Sequence, residues 1–233
     1  YLIHERAEVR AWLAKLEDDL TRPALAKPAL PPVSPPPVKA TKRPGKSTAA
    51  TELRPAAFGL SWRTSLASLR AHRVKLGPTR KVGDLIECVV ESAPELPENT
   101  GELTISLHPR HGLQQIVWKS KPITGDAFGF LGREQFLNLQ DLLEEKYGPA
   151  SASEKFLDPK QFKARDQFYA CLERAGCGSW NTSWKLNGMF VRLALLPVMA
   201  DTGILCLTYQ GPEWNAILME RERQQRQKLE KAL

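Results

Sequence analysis

No run in this chain approaches the ~18 consecutive apolar residues of a membrane-crossing helix. Histidine is scarce, with 4 in 233 residues. There is no His-Glu-x-x-His, no Gly-x-Ser-x-Gly and no dinucleotide fingerprint, so the common sequence marks of metalloproteases, serine hydrolases and nicotinamide enzymes are missing. Gly45, Lys46 and Ser47 imitate the end of a phosphate-binding loop. That loop needs a glycine at position 40, where Ala40 stands, and a strand before it, which the surrounding sequence does not offer. The 4 cysteines form no Cys-x-x-Cys pair and have no histidine at zinc-finger spacing. No catalytic, cofactor-binding or metal-ligating residue is assigned, and the chain reads as a non-enzyme. Two carboxylates brought together by folding need no motif, so a hydrolase without a recognisable signature stays an alternative.

Anions are almost absent between Arg22 and Ala56. Seven cations there face only Glu52, so the segment holds +6 of the net charge of +7. The rest of the chain is close to neutral, and the basic balance describes a tether rather than a binding face. This stretch, 22–56, is rich in Pro, Ala and Lys, with Pro-Pro-Val-Ser-Pro-Pro-Pro at 31–37. It has too few apolar side chains to offset the entropy of ordering and reads as a disordered, partly polyproline linker.

What is present is a layout that occurs twice. Phe58, Gly59, Leu66 and Leu69 are matched at constant offset by Phe128, Gly129, Phe136 and Leu139. Ile105 to Pro109 is echoed by Leu193 to Pro197, and His111 to Trp118 by Thr202 to Tyr209. Repetition of this kind constrains architecture and leaves chemistry open. The expected fold is α+β: a tandem αβββ repeat forming an antiparallel sheet, with helices packed on one face.

Four regions follow: an amphipathic helix at 1–21, the linker at 22–56, a globular domain at 57–211, and a charged C-terminal helix at 212–233. Alternation and turn signals place strands at 84–91, 102–107, 113–119, 180–185, 189–195 and 203–209. Asn187-Gly188 calls for a type I′ hairpin turn. Helices are expected at 65–74 and 133–147, the latter ended by Gly148-Pro149. The insertion at 151–178 should hold a further helix, with Asp158 as N-cap, Pro159 as first helical residue and its end near Arg174.

Candidate partner-binding residues come from three places. Trp12 and Leu16 lie on the apolar stripe of the N-terminal helix. Trp180 and Trp184 share one strand face, which serves either to fill a core or to offer a binding platform. His108, Arg110 and His111 cluster at a turn, where ordinary turn polarity is the plainer reading. Cys171 and Cys177 flank a helix end and are a candidate disulfide; Cys88 and Cys206 read as small core residues. Asn181-Thr182-Ser183 is a formal glycosylation sequon inside a strand.

The tandem αβββ layout over residues 57–211 resembles that of β-lactamase-inhibitor-type proteins and small outer-membrane-assembly lipoproteins of bacteria. The resemblance is topological, rests on no specific motif, and breaks at the insertion. It implies binding to another protein, no cofactor, and a place in the cell envelope, periplasmic or membrane-anchored. A helix followed by a basic, proline-rich spacer and a folded module has the same flavour. The chain starts at Tyr1, which leaves a removed signal peptide or anchor upstream open. The expected function is therefore a non-catalytic interaction module of the bacterial envelope. The alternative is a cytoplasmic protein holding nucleic acid non-specifically through its basic linker.

Overall fold

Among the described residues, four tight hairpins join seven of the strands. The computed structural model describes residues 55–71 and 74–230. The predicted N-terminal helix, with Trp12 and Leu16, lies outside the described residues, as does the linker up to position 54.

The described chain runs α1 (Leu66–Ala71), β1 (Lys75–Val82), β2 (Leu85–Ser92), β3 (Thr100–His108), β4 (Gly112–Ser120), α2 (Phe130–Tyr147), β5 (Ala152–Leu157), α3 (Phe168–Glu173), β6 (Gly178–Leu186), β7 (Met189–Met199), β8 (Thr202–Gln210) and α4 (Trp214–Glu230). The eight strands form one antiparallel sheet in the order β1-β2-β3-β4-β8-β7-β6-β5. The fold is therefore α+β. The first four strands make one half and the last four the other, joined where β4 pairs with β8.

Each turn has a local cause. Asn187-Gly188 joins β6 to β7 with Gly188 at φ 71, as its sequence demands. Gly112 closes β3 to β4 at φ 62, and a Cβ there would stand 2.2 Å from the Arg63 carbonyl oxygen, so only glycine fits. Helix α2 starts earlier than its apolar stripe suggested. Asp126, four residues upstream, accepts from the backbone N–H groups of Leu131 and Gly132 at 3.1 and 2.8 Å and satisfies the helix's free donors. Its end is as expected: Gly148 sits at φ 85 and its N–H reaches the Glu144 carbonyl.

Two strands were not foreseen. β1 contains Gly77-Pro78 and lacks alternation; β5 is exposed along nearly its whole length. Both are edge strands, where burial imposes little pattern. The predicted helix from Asp158 is corrected. Asp158 N–H donates to the Cys177 carbonyl at 2.6 Å, which extends the β5–β6 ladder and holds the residue on the sheet. Its Oδ1 accepts from Lys160 N–H in a local turn. Helix resumes only at α3, after a short 3-10 turn at Arg165–Gln167.

A single core joins both halves. Leu103, Ile105, Ile116 and Trp118 from the first half share it with Trp184, Val191, Leu193 and Leu207 from the second, and Phe136, Phe168 and Tyr169 of α2 and α3 belong to the same cluster. Burying each of these large side chains contributes roughly 2–3 kcal/mol. Helix α4 has its own small cluster, Trp214 and Ile217 against Leu85. No helix among the described residues is long and apolar enough to cross a membrane.

Candidate functional site

The β3–β4 turn carries His108, Arg110 and His111, and the structure brings all three together with α4. His108 is 6% exposed. Its Nε2 lies 3.3 Å from Asp84 Oδ2, and its Nδ1 accepts from Arg110 N–H at 3.3 Å. That pattern suits the Nε2–H tautomer and leaves neither ring nitrogen open to a further ligand. His111 stacks on His108 with centroids 4.9 Å apart. Arg110 reaches Glu220, and Arg221 reaches Asp84 at 3.4 Å, so α4 supplies a counter-charge to each turn. The cleft between these turns and Ala216, Ile217 and Glu220 holds about 40 Å³, room for a water or two.

Next to it lies a polar junction that the sequence did not signal. Glu213 Oε1 accepts from Arg63 Nε at 3.0 Å and is also paired with the other end of that guanidinium. Glu213 Oε2 accepts from Gln114 Nε2 at 3.0 Å. Gln114 Oε1 accepts from the Glu213 backbone N–H at 3.0 Å. Gln114 is fully buried and ties the first turn of α4 to β4. The hydrogen bond from Arg63 outweighs desolvation and holds the Glu213 carboxyl below its usual range. All of this is anchorage for a helix, assembled from residues more than a hundred positions apart in places, a span no sequence window captures.

The tryptophan pair divides. Trp184 is 0% exposed and its Nε1 donates to the Gly148 carbonyl at 3.1 Å, so it belongs to the core and is withdrawn as a partner-binding candidate. Trp180 is half-buried beside Phe168, with centroids 5.7 Å apart. Arg133 covers this aromatic group. Its guanidinium carbon stands 5.1, 5.4 and 5.8 Å from the ring centres of Phe130, Phe168 and Trp180, a stabilising cation–π arrangement.

Around Arg133 the surface is apolar. Phe128 and Phe130 stack at 5.8 Å and are 47% and 64% exposed; Leu131 is 48% exposed. The loop carrying them is tied to the β7–β8 turn by a hydrogen bond from Asp126 N–H to the Asp201 carbonyl, and Met199 in that hairpin is 60% exposed. Grouped exposed aromatics mark a contact surface more often than scattered ones do. The Phe128 and Phe136 repeat positions were visible in the sequence. Phe136 falls on the apolar stripe of the expected helix and is buried, whereas the exposure of Phe128 was not legible, because it depends on where Asp126 starts the helix.

The candidate disulfide is present between Cys171 and Cys177, with Cα atoms 5.1 Å apart. Cys88 and Cys206 are buried and free. Burial pushes both thiols up, which makes them poor nucleophiles. Asn181 is half-buried, and its amide is engaged with Glu154 and Ser179. Among the described residues no three His, Cys, Asp or Glu side chains are grouped to hold a metal ion. Comparison with family models, curated proteins and solved structures finds no match for the chain.

Proposed function

We propose that the protein is a non-catalytic interaction module of the bacterial cell envelope, facing the periplasm and carried on a proline-rich tether. The observation that carries this reading is the Cys171–Cys177 bridge. Disulfides persist in oxidising compartments and are rare in a reducing cytosol. A second support is the exposed aromatic surface of Phe128 and Phe130, just before and at the start of α2. The scaffold is read as a duplication, each copy a helix followed by strands, related to the tandem folds of β-lactamase-inhibitor-type proteins and small outer-membrane-assembly lipoproteins. The mirrored strand order about the β4–β8 seam supports this, with four strands in each half where the repeat suggested three.

The test is compartment and redox state together. The chain, produced in a bacterium from its full native reading frame, is alkylated before and after reduction and its mass measured, alongside fractionation. The expected result is an envelope or periplasmic protein with two thiols protected until reduction. A cytoplasmic protein with all four thiols free would overturn the reading. The second reading, non-specific nucleic-acid binding by the linker, draws on the +6 charge of 22–56. It requires retardation of DNA or RNA that falls steeply with salt and vanishes when that segment is deleted.

A further inference from the structure

The two edges of the sheet are built differently. On one side β1 carries Lys75, Arg80 and Lys81, has Pro78 in its middle, and slips register against β2 twice. These are the devices by which natural sheets block pairing at an edge. On the other side β5 is short and carries Glu154 and Lys155, but it has no proline, pairs with β6 in unbroken register, and is exposed from Ala152 to Phe156. Among the described residues no strand lies beyond it.

The register fixes which backbone groups β5 offers. Leu157 stands opposite Gly178, so Asp158 stands opposite Cys177, and the 2.6 Å hydrogen bond between them marks a bonded pair. Bonded and non-bonded pairs alternate in an antiparallel ladder. Phe156 and Glu154 therefore turn their backbone groups toward β6, while Ser153 and Lys155 turn N–H and C=O outward. Side chains confirm the two faces. Lys155 lies over the Phe136 ring and donates to Gln140 on the helix side. Glu154 and Phe156 are on the other side, where Phe156 is 40% exposed.

We propose that β5 is the acceptor edge for an extended segment of another protein, which adds a ninth strand to the sheet. This rests on the interaction-module reading and names its surface and the form of its partner. Backbone hydrogen bonds to Ser153 and Lys155 supply the pairing, and an apolar partner side chain covers Phe156. A residue that is acidic or uncharged stands opposite Lys155. A second copy of this chain is a poor occupant. A two-fold axis normal to the sheet keeps the faces, so only residues of like parity can stand opposite. The two registers of greatest overlap then set Glu154 against its own counterpart or Lys155 against its own, and like charges directly opposite are destabilising.

The test pans the full chain against a display library of short unstructured peptides. Enriched peptides are then synthesised and followed by hydrogen exchange and titration. The expected result is slowed exchange at the Ser153 and Lys155 amides and an affinity loss of about tenfold or more in Lys155→Pro. That substitution removes an outward N–H and keeps the β5–β6 ladder. Phe156→Glu, on an exposed side chain, gives the same loss without touching the backbone and serves if Lys155→Pro fails to fold. No enrichment, or peptides that bind both variants like the parent, would overturn the proposal. So would a concentration-dependent dimer abolished by Phe156→Glu, which would put a second copy on the edge. Peptides mapping to the Phe128–Phe130 surface instead would overturn the edge and leave the interaction-module reading standing. A cytoplasmic, fully reduced protein would overturn that reading and leave the edge.

Discussion

Asp126 is 4% exposed, and three donors converge on it. Leu131 and Gly132 give backbone N–H groups, and Tyr169 gives its hydroxyl at 2.8 Å. The residue thus caps α2, fixes the loop that displays Phe128 and Phe130, and joins both to α3. Burial first, and then the bond to Asp126, push the Tyr169 hydroxyl up, so it stays a donor at alkaline pH where a free tyrosine would ionise. Hydrogen bonds to a charged acceptor are worth roughly 1.5–3 kcal/mol each. Asp126→Ala leaves three donors unpaired, two of them on a helix end, and should cost about 3 kcal/mol or more in denaturant unfolding. Tyr169→Phe removes one donor and should cost about 1–2 kcal/mol. The sign with pH follows from the raised value. The Tyr169 contribution is complete below the free tyrosine value of 10.0 and is lost as pH rises above it. A parent melt that declines across that alkaline range, and a Tyr169→Phe melt that declines less, is the expected comparison.

Among the elements, α4 is held in an unusual way. Its apolar contact is small, Trp214 and Ile217 on Leu85, and from Glu220 onward every described residue but Arg221 and the flanking Glu220 is exposed. Its attachment depends on the Glu213 junction with Arg63 and Gln114 and on the outer pairs to Asp84 and Arg110. Glu213 has a depressed carboxyl, so its contribution is complete above the ordinary value of 4.5 and is lost as pH falls through the lower folded value. Below that range α4 should detach before the sheet unfolds. Trypsin-independent acid proteolysis with pepsin, with fragments identified by mass, should cut first within 214–230. Glu213→Gln should show that early cutting already at higher pH. The same element shows what a sequence can disclose. The charged run after Glu220 marked an exposed helix, and Asn187-Gly188 and Gly148-Pro149 announced a turn and a stop, because each acts on its own neighbours. The edge strands β1 and β5 were decided by pairing with β2 and β6, and the failed helix at Asp158 by the Cys177 carbonyl, contacts that local pattern does not contain. The His108 cluster was visible as residues near a turn. Its partners Asp84, Glu220 and Arg221 became visible only with the fold.

At the scale of the whole molecule, two halves with separate strand sets raise the question of whether they unfold separately. Cohesion argues that they do not. The seam pairs Trp118 with Leu207 and Ile116 with Tyr209, and all four side chains are at least 97% buried. A half on its own would expose that face to water, an apolar loss of several side chains at roughly 2–3 kcal/mol each. Ile105 lies in the first half at 0% exposure, inside the same cluster as Val191 and Leu193 of the second. Ile105→Ala should cost about 2–5 kcal/mol, as cavity-forming core truncations do. If the core is one cooperative unit, that cost appears everywhere: a single melt moves to lower temperature, calorimetric and van't Hoff enthalpies stay equal, and amides of β6 and β7 lose protection by the same free energy as those of β3. Two resolved transitions, with only β1 to β4 affected, would make the halves independent domains. A partner strand added at β5 would then steady only the second half, whereas in the cooperative case its binding free energy reaches Ile105 across the full width of the sheet.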